Sequence, residues 1–254
     1  MSNLSDIGFP VKDEQDVNEM IMNVLGKARE IPCPRGFYLR FSDPSGAEIY
    51  LQGNKDQELI GFNPHFSGSS RRRVLLQEAI ERDSSELDGG FQALANPTGK
   101  DFTSSDHPFV FDVPDFRAVF PKSLPKSCEI QLSAFASNDL RFFESEDEFF
   151  ATLPLESKLS TTSFIATGLA ALKETEETDL TLARPIANFA GEIKEFELLT
   201  NGLTDESFYS FLVETDGGEI DVVADSKLIS DEPKRGGILH GHFWLSGRLI
   251  ETEE

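Results

Sequence analysis

The sequence predicts an α+β, β-rich fold: a small βαβββ N-terminal domain followed by a larger antiparallel β-barrel-like domain. Three observations point there. A single clear amphipathic helical stretch lies near the N-terminus, between short alternating segments. Residues 108–250 repeat period-two alternation with few helical stretches, and a closed barrel would remove the edges of such long apolar strands. Phe occurs 22 times against 3 Tyr and 1 Trp, so the aromatic content is mostly core material without a polar handle.

The N-terminal unit spans 1–66. Ile7, Phe9 and Val11 read as a short first strand. Asp13 suits a helix N-cap, and Val17, Met20, Ile21, Val24 and Leu25 then fall on one helical face. Gly26 suits its stop, and Pro32 and Pro34 mark a loop. Phe37, Leu39 and Phe41 alternate, Asp43-Pro44-Ser45-Gly46 is turn chemistry, and Ala47, Ile49 and Leu51 alternate again. A turn at Gly53–Asp56 leads to a strand at Leu59–Phe62. The following GFNPHF places Asn63 and His65 in a turn.

Residues 67–107 read as a connecting segment. It holds a loop at 67–70, the triplet Arg71-Arg72-Arg73 as a solvated continuation, an ambiguous stretch at Val74–Ile80, and a strand ending at Pro97. TGKDFTSSDH reads as exposed. Asn96 and Asp115 read as turn formers beside prolines.

Residues 108–254 form the acidic barrel-like domain. Phe109–Val113 and Cys128–Phe135 read as strands, Ser145–Leu153 as a short helix, and Phe164–Leu172 as strand or helix. KETEETD (173–179) reads as a charged loop, and Ile186–Leu199 as one long strand bent at Gly191. Thr215-Asp216-Gly217-Gly218 joins a hairpin, and Gly236-Gly237 opens a last strand at Ile238–Ile250.

Charge bounds the partners. The formal net charge is -22; residues 1–100 hold 11 Lys+Arg against 15 Asp+Glu, net -4, so the remainder carries -18. Such a surface repels phosphate, which argues against nucleic acid and anionic membrane as partners. A small molecule or a protein is the expected partner, a second copy of the chain included. The N-terminus shows no signal-peptide pattern and no window is long and apolar enough to span a bilayer, so a cytoplasmic location is expected. Cys33 and Cys128 show no CxxC spacing, which fits buried thiols in a reducing compartment.

DIGFPVKDE, the helix end VLGKA and the hairpin FSDPSGAEIYL resemble one βαβββ module of the vicinal-oxygen-chelate superfamily, the glyoxalase and bleomycin-resistance type proteins. That resemblance implies a cupped sheet around a metal or small ligand. Its metal ligands would be a His or Gln on the first strand and a Glu four residues after the turn glycine. Here those positions hold Asp6 and Tyr50, with Glu48 two residues early, so no metal is expected at this module. The ending GGILHGHFWLSGRLI resembles that of uncharacterised bacterial β-barrel proteins, which implies no activity.

The last strand carries the candidate ligand-binding residues. His240, His242, Trp244, Ser246 and Arg248 share one face by alternation; Leu239, Phe243, Leu245 and Leu249 share the other, with Gly241 and Gly247 as spacers. The expected function is non-enzymatic binding of a ligand or partner through His240, His242, Trp244 and Arg248 or at the interdomain crevice, with no cofactor and no assigned catalytic residue. The alternative is a metal-dependent enzyme acting on a small carbonyl or carboxylate through His240 and His242. Glu219, Asp221 or His107 would then supply a third ligand. Single-strand nucleic-acid binding ranks below both, because the strands lack basic residues among their aromatics. No phosphate loop, GxGxxG, GxSxG or HExxH is present.

Overall fold

The computed structural model describes residues 4–97, 107–154, 156–157, 159–170, 180–230 and 232–250. The fold is β-rich α+β, with a small four-stranded antiparallel sheet and a ten-stranded mixed sheet closed into an irregular ring. The readings of most of TGKDFTSSDH and of KETEETD lie outside the described residues.

The small sheet has the order β1 (Arg29–Cys33), β2 (Gly36–Ser42), β3 (Ala47–Asn54), β4 (Leu59–Phe66). The helix α1 (Glu14–Leu25) starts where expected. The Asp13 side chain accepts from the Asp16 N–H at 3.0 Å, and Met20 and Val24 are buried.

The expected first strand is absent, and the order is αββββ rather than βαβββ. Ser5–Ile7 is a 3-10 turn ended by Gly8 at φ 78°. Gly8 turns the chain left-handed, and Pro10 lacks a donor. Ile7 and Phe9 are buried nonetheless, with Leu4, in a cluster shared with Phe41, Ile49, Leu51, Phe135 and Phe208. The fourth strand comes from the stretch around Pro32, which the edge position of β1 tolerates. Similarly, β4 continues through GFNPHF, so Asn63 and His65 are strand residues, with Pro64 again on an edge.

The large sheet has the strand order β10-β11-β12-β13-β8-β5-β6-β7-β14-β9. The expected connecting segment supplies two of its strands, β5 (Arg72–Glu81) and β6 (Gly89–Ala95). The others are β7 (Pro108–Asp112), β8 (Lys126–Ala136), β9 (Arg141–Phe143), β10 (Phe164–Ile165), β11 (Ile186–Thr200), β12 (Ser207–Thr215), β13 (Gly218–Asp225) and β14 (Ile238–Ile250). Short helices α2 (Phe116–Val119), α3 (Glu146–Ala151) and α4 (Thr167–Ala170) lie between them. The long strand β11 breaks register between Ile193 and Glu195 rather than at Gly191.

The ring is not wholly antiparallel: β13 runs parallel to β8, and β14 parallel to β7. Strand β14 closes it, pairing with β11 through Ile238–Trp244 and with β8 through Leu245–Ile250. The interior is largely phenylalanine, including Phe91, Phe109, Phe111, Phe189, Phe211 and Phe243. Phe189 stacks on Phe243 with centroids 4.0 Å apart. A Cβ at Gly247 would lie 2.4 Å from the Phe111 ring, which explains a glycine in the middle of β14.

Candidate functional site

Period-two alternation on β14 holds. Leu239, Phe243 and Leu245 are buried in the ring core, and His240, His242, Trp244, Ser246 and Arg248 occupy the other face. That face passes three different environments, so the expected residues do not converge on one point.

At the start of β14, His242 is exposed. Its Nδ1 lies 2.6 Å from Asp139 Oδ2, and the Asn188 amide lies 3.2 Å from its Nε2. The Asp139 carboxyl is held below its usual range, burial being outweighed by hydrogen bonds from His242. His240 is half-buried with its ring edge-on to Phe149, and burial lowers its proton affinity. Among the described residues, no group of three His, Cys, Asp or Glu side chains is placed to hold a metal ion. Asp221, an expected third ligand, is occupied instead by the Ser69 and Ser70 N–H groups and by Gln131.

At the end of β14, the face meets the small sheet across a buried polar layer. Arg248 donates to Ser67 Oγ at 2.7 Å and to Glu48 Oε2 at 3.4 Å. Glu48 also accepts from Ser42 Oγ and from Tyr50 Oη, so Tyr50 serves this layer. Asp6 is buried beneath the Asp225 N–H, from which it accepts.

His65, expected in a turn, is instead the hub of this layer. Its Nδ1 lies 2.9 Å from Ser246 Oγ and its Nε2 lies 2.9 Å from Gln131 Oε1. Gln131 Nε2 donates to Asp221 and to Ser133, so Gln131 Oε1 must accept. His65 therefore carries its proton on Nε2, and Ser246 donates to Nδ1. Burial pushes the imidazole down to about 3, so it is neutral. A serine hydroxyl donating to an imidazole is the arrangement of an activated nucleophile. Here His65 is 0% and Ser246 1% exposed, so no substrate reaches the pair and it serves as an internal tie.

Between these regions Trp244 borders a cavity of about 340 Å³ at the seam of the two sheets. Leu4, Phe62, Pro64 and Trp244 give it an apolar side. Asn63 comes from β4, and Arg82, Ser84, Asp88 and Asp112 come from the β5–β6 connection and β7. Arg82 grips Asp112 Oδ1 through Nε at 3.1 Å and Nη2 at 2.8 Å. The Trp244 indole N–H reaches Asp112 Oδ2 at 3.3 Å, and the ring packs against Phe135 at 5.0 Å. Burial is the main cause that raises the Asp112 carboxyl, against the lowering effect of Arg82. Asp88 accepts from Gln52, from Asn63 at 2.8 Å and from Ser84 at 2.7 Å. Of these residues the sequence singles out Trp244 and Asn63 but neither Asp88 nor Asp112.

Arg72 also departs from expectation. It is buried at the end of β5, donating to the Gly218 and Glu219 carbonyls, with Phe109 and Phe164 rings within 5.7 Å and 5.6 Å of its guanidinium. Arg71 and Arg73 are exposed, as expected of the triplet. Both cysteines are free and half-buried, and burial pushes the Cys128 thiol up to about 11. Asp115 is buried ahead of α2. No described helix is long and apolar enough to cross a membrane.

No protein-family model, curated protein or solved structure matches the chain. The resemblance to a vicinal-oxygen-chelate module thus gains no support from relatives, and the missing first strand removes part of its pattern.

Proposed function

We propose that this protein is a non-enzymatic binding protein that holds a small molecule in the seam cavity. One observation carries the reading. The cavity of about 340 Å³ lies between the two sheets and combines an indole, other apolar side chains and a few fixed polar groups. Small-molecule sites favour that position and that mixture. The polar groups are already oriented by hydrogen bonds, so the walls need little ordering when a ligand enters. The net charge of -22 favours a ligand that is not a polyanion.

Trp244 is the chain's only tryptophan, so its fluorescence reports this cavity alone. A panel of small amines, carboxylates and neutral aromatics would be titrated while following indole emission. The expected result is a saturable one-to-one change for one chemical class, with weaker binding of that class to Trp244→Phe by NMR. If no class perturbs the indole or the amides of Asn63, Asp88 and Asp112, the reading is wrong.

A further inference from the structure

We infer that the seam cavity takes a small organic monocation, an ammonium or amidinium carried on a flat apolar body. The inference rests on the proposed binding role and adds the chemical class of the ligand.

The hydrogen-bond inventory of the cavity wall leaves open positions on both of its carboxylates. An ionised carboxylate offers about four acceptor positions. Asp112 Oδ1 takes two donors from Arg82, and its Oδ2 takes one from Trp244. Asp88 Oδ1 takes Gln52 and Asn63, and its Oδ2 takes one donor from Ser84. Each carboxylate thus keeps one acceptor position on Oδ2. The donors facing them are turned mostly to the protein: Arg82 gives Nε and one Nη2 N–H to Asp112 and one Nη1 N–H to the Ala183 carbonyl, keeping a second N–H on each Nη, while Ser84 gives its hydroxyl and Trp244 its only N–H. A ligand that donates finds an open position on each carboxylate, where negative charge strengthens the bond, whereas one that only accepts is left with the second N–H groups of Arg82 and of the Asn63 amide.

Charge points the same way. Two carboxylates share the cavity with one guanidinium, which leaves one negative charge uncompensated. Asp88 also raises the proton affinity of Asp112, so the two carboxylates repel each other across the space. A cation between them supplies what a proton would otherwise supply. The indole of Trp244 lines the same space with Phe62 and Pro64, which gives a flat apolar body a wall to pack against. A bare metal ion fits less well, because no three-carboxylate or histidine cluster is placed to replace its water among the described residues.

The test compares benzylammonium, benzyl alcohol and benzoate on the whole wild-type protein at pH 7 and 0.15 M salt. The readouts are Trp244 emission and calorimetry. The expected result is saturable one-to-one binding of benzylammonium, with benzyl alcohol at least about tenfold weaker and benzoate silent. Asp88→Asn should weaken benzylammonium about tenfold while leaving benzyl alcohol nearly unchanged. Should that variant fail to fold, the comparison of ligands on the wild type still decides. Equal binding of the alcohol, or preference for benzoate, overturns the cation class while the cavity reading stands. A non-saturating response erased by 0.5 M salt is attraction to an acidic surface and overturns it too. Silence of all three probes also overturns the inference, and the wider panel then decides the cavity itself.

Discussion

Replacing Asp6 by Asn should stabilise the protein, and increasingly so as the pH rises. Asp6 lies in the 3-10 turn at the N-terminus, 3% exposed, accepting from the Asp225 N–H. Burial, with the Asp225 carboxylate nearby, raises its carboxyl from 3.8 to about 8, against the lowering effect of the Asp225 N–H bond. The folded chain therefore holds a proton that the unfolded chain releases near pH 4. The stabilising effect of that proton is complete below pH 4. It is lost at about 1.4 kcal/mol per pH unit as the pH rises, until the folded group itself ionises near pH 8. Over about four units this comes to roughly 6 kcal/mol. Release of the N-terminal turn would relieve the strain at the expense of burying Leu4, Ile7 and Phe9. Those side chains are worth about 1.5–3 kcal/mol each, so the two effects nearly balance. Asn keeps the acceptor and cannot ionise. The stability difference between Asp6→Asn and wild type, from urea melts, should be near zero at pH 4.5, grow through neutrality and level off above pH 8. The protection of the amides at residues 4–9 against exchange should fall between pH 4 and 8 in the wild type and stay level in Asp6→Asn. A difference independent of pH, or a variant less stable than wild type at pH 8, would refute the reasoning.

Two further substitutions probe buried polar groups. His65→Ala removes the partner of both Ser246 and Gln131 and leaves a void, so urea melts at pH 7 should show a loss of about 3–5 kcal/mol. The folded imidazole is held near 3, so its stabilising state is present above about pH 6.5 and is lost as the pH falls toward 3; His65→Gln should lose that part of the acid sensitivity. Arg72→Met removes a guanidinium that burial holds down to about 9, with no carboxylate paired to it among the described residues. Melts should place this variant within about 1–2 kcal/mol of wild type or above it, and a loss beyond about 3 kcal/mol would show that the two carbonyl contacts outweigh desolvation.

What was legible in the sequence followed from periodicity. The helix capped by Asp13, the hairpin around Asp216-Gly217 and the two-faced β14 all needed only local rules, and the structure places them there. Departures came where tertiary position overrode a local signal. Proline at Pro32 and Pro64 reads as a strand breaker, yet both residues lie on sheet edges, and edge status is invisible before topology is known. The Arg triplet reads as a solvated loop because sequence cannot show that Arg72 faces the end of a ring built from strands far away in the chain. Asp88 and Asp112 escaped notice for the same reason. They are 24 residues apart in sequence, and only the pairing of β6 with β7 brings their segments together around the cavity.

The polar layer between the sheets bears on the cavity through β14. Apolar burial alone is non-directional and would let one sheet slide on the other. Here Ser246 is tied to His65 on β4, and Arg248 to Glu48 on β3 and to Ser67 just past β4. Each tie has a fixed length and direction, and each partner would be left buried and unsatisfied by a shift of one residue. Trp244 is the next side chain on the same face of the same strand. Pinning Ser246 and Arg248 to the small sheet therefore sets where the indole stands relative to Phe62 and Asn63 of β4. It likewise sets Trp244 against Asp112, which pairs in register with Ser246. The buried Ser–His pair thus has a structural use that explains its seclusion: it holds the two walls of the cavity at one spacing.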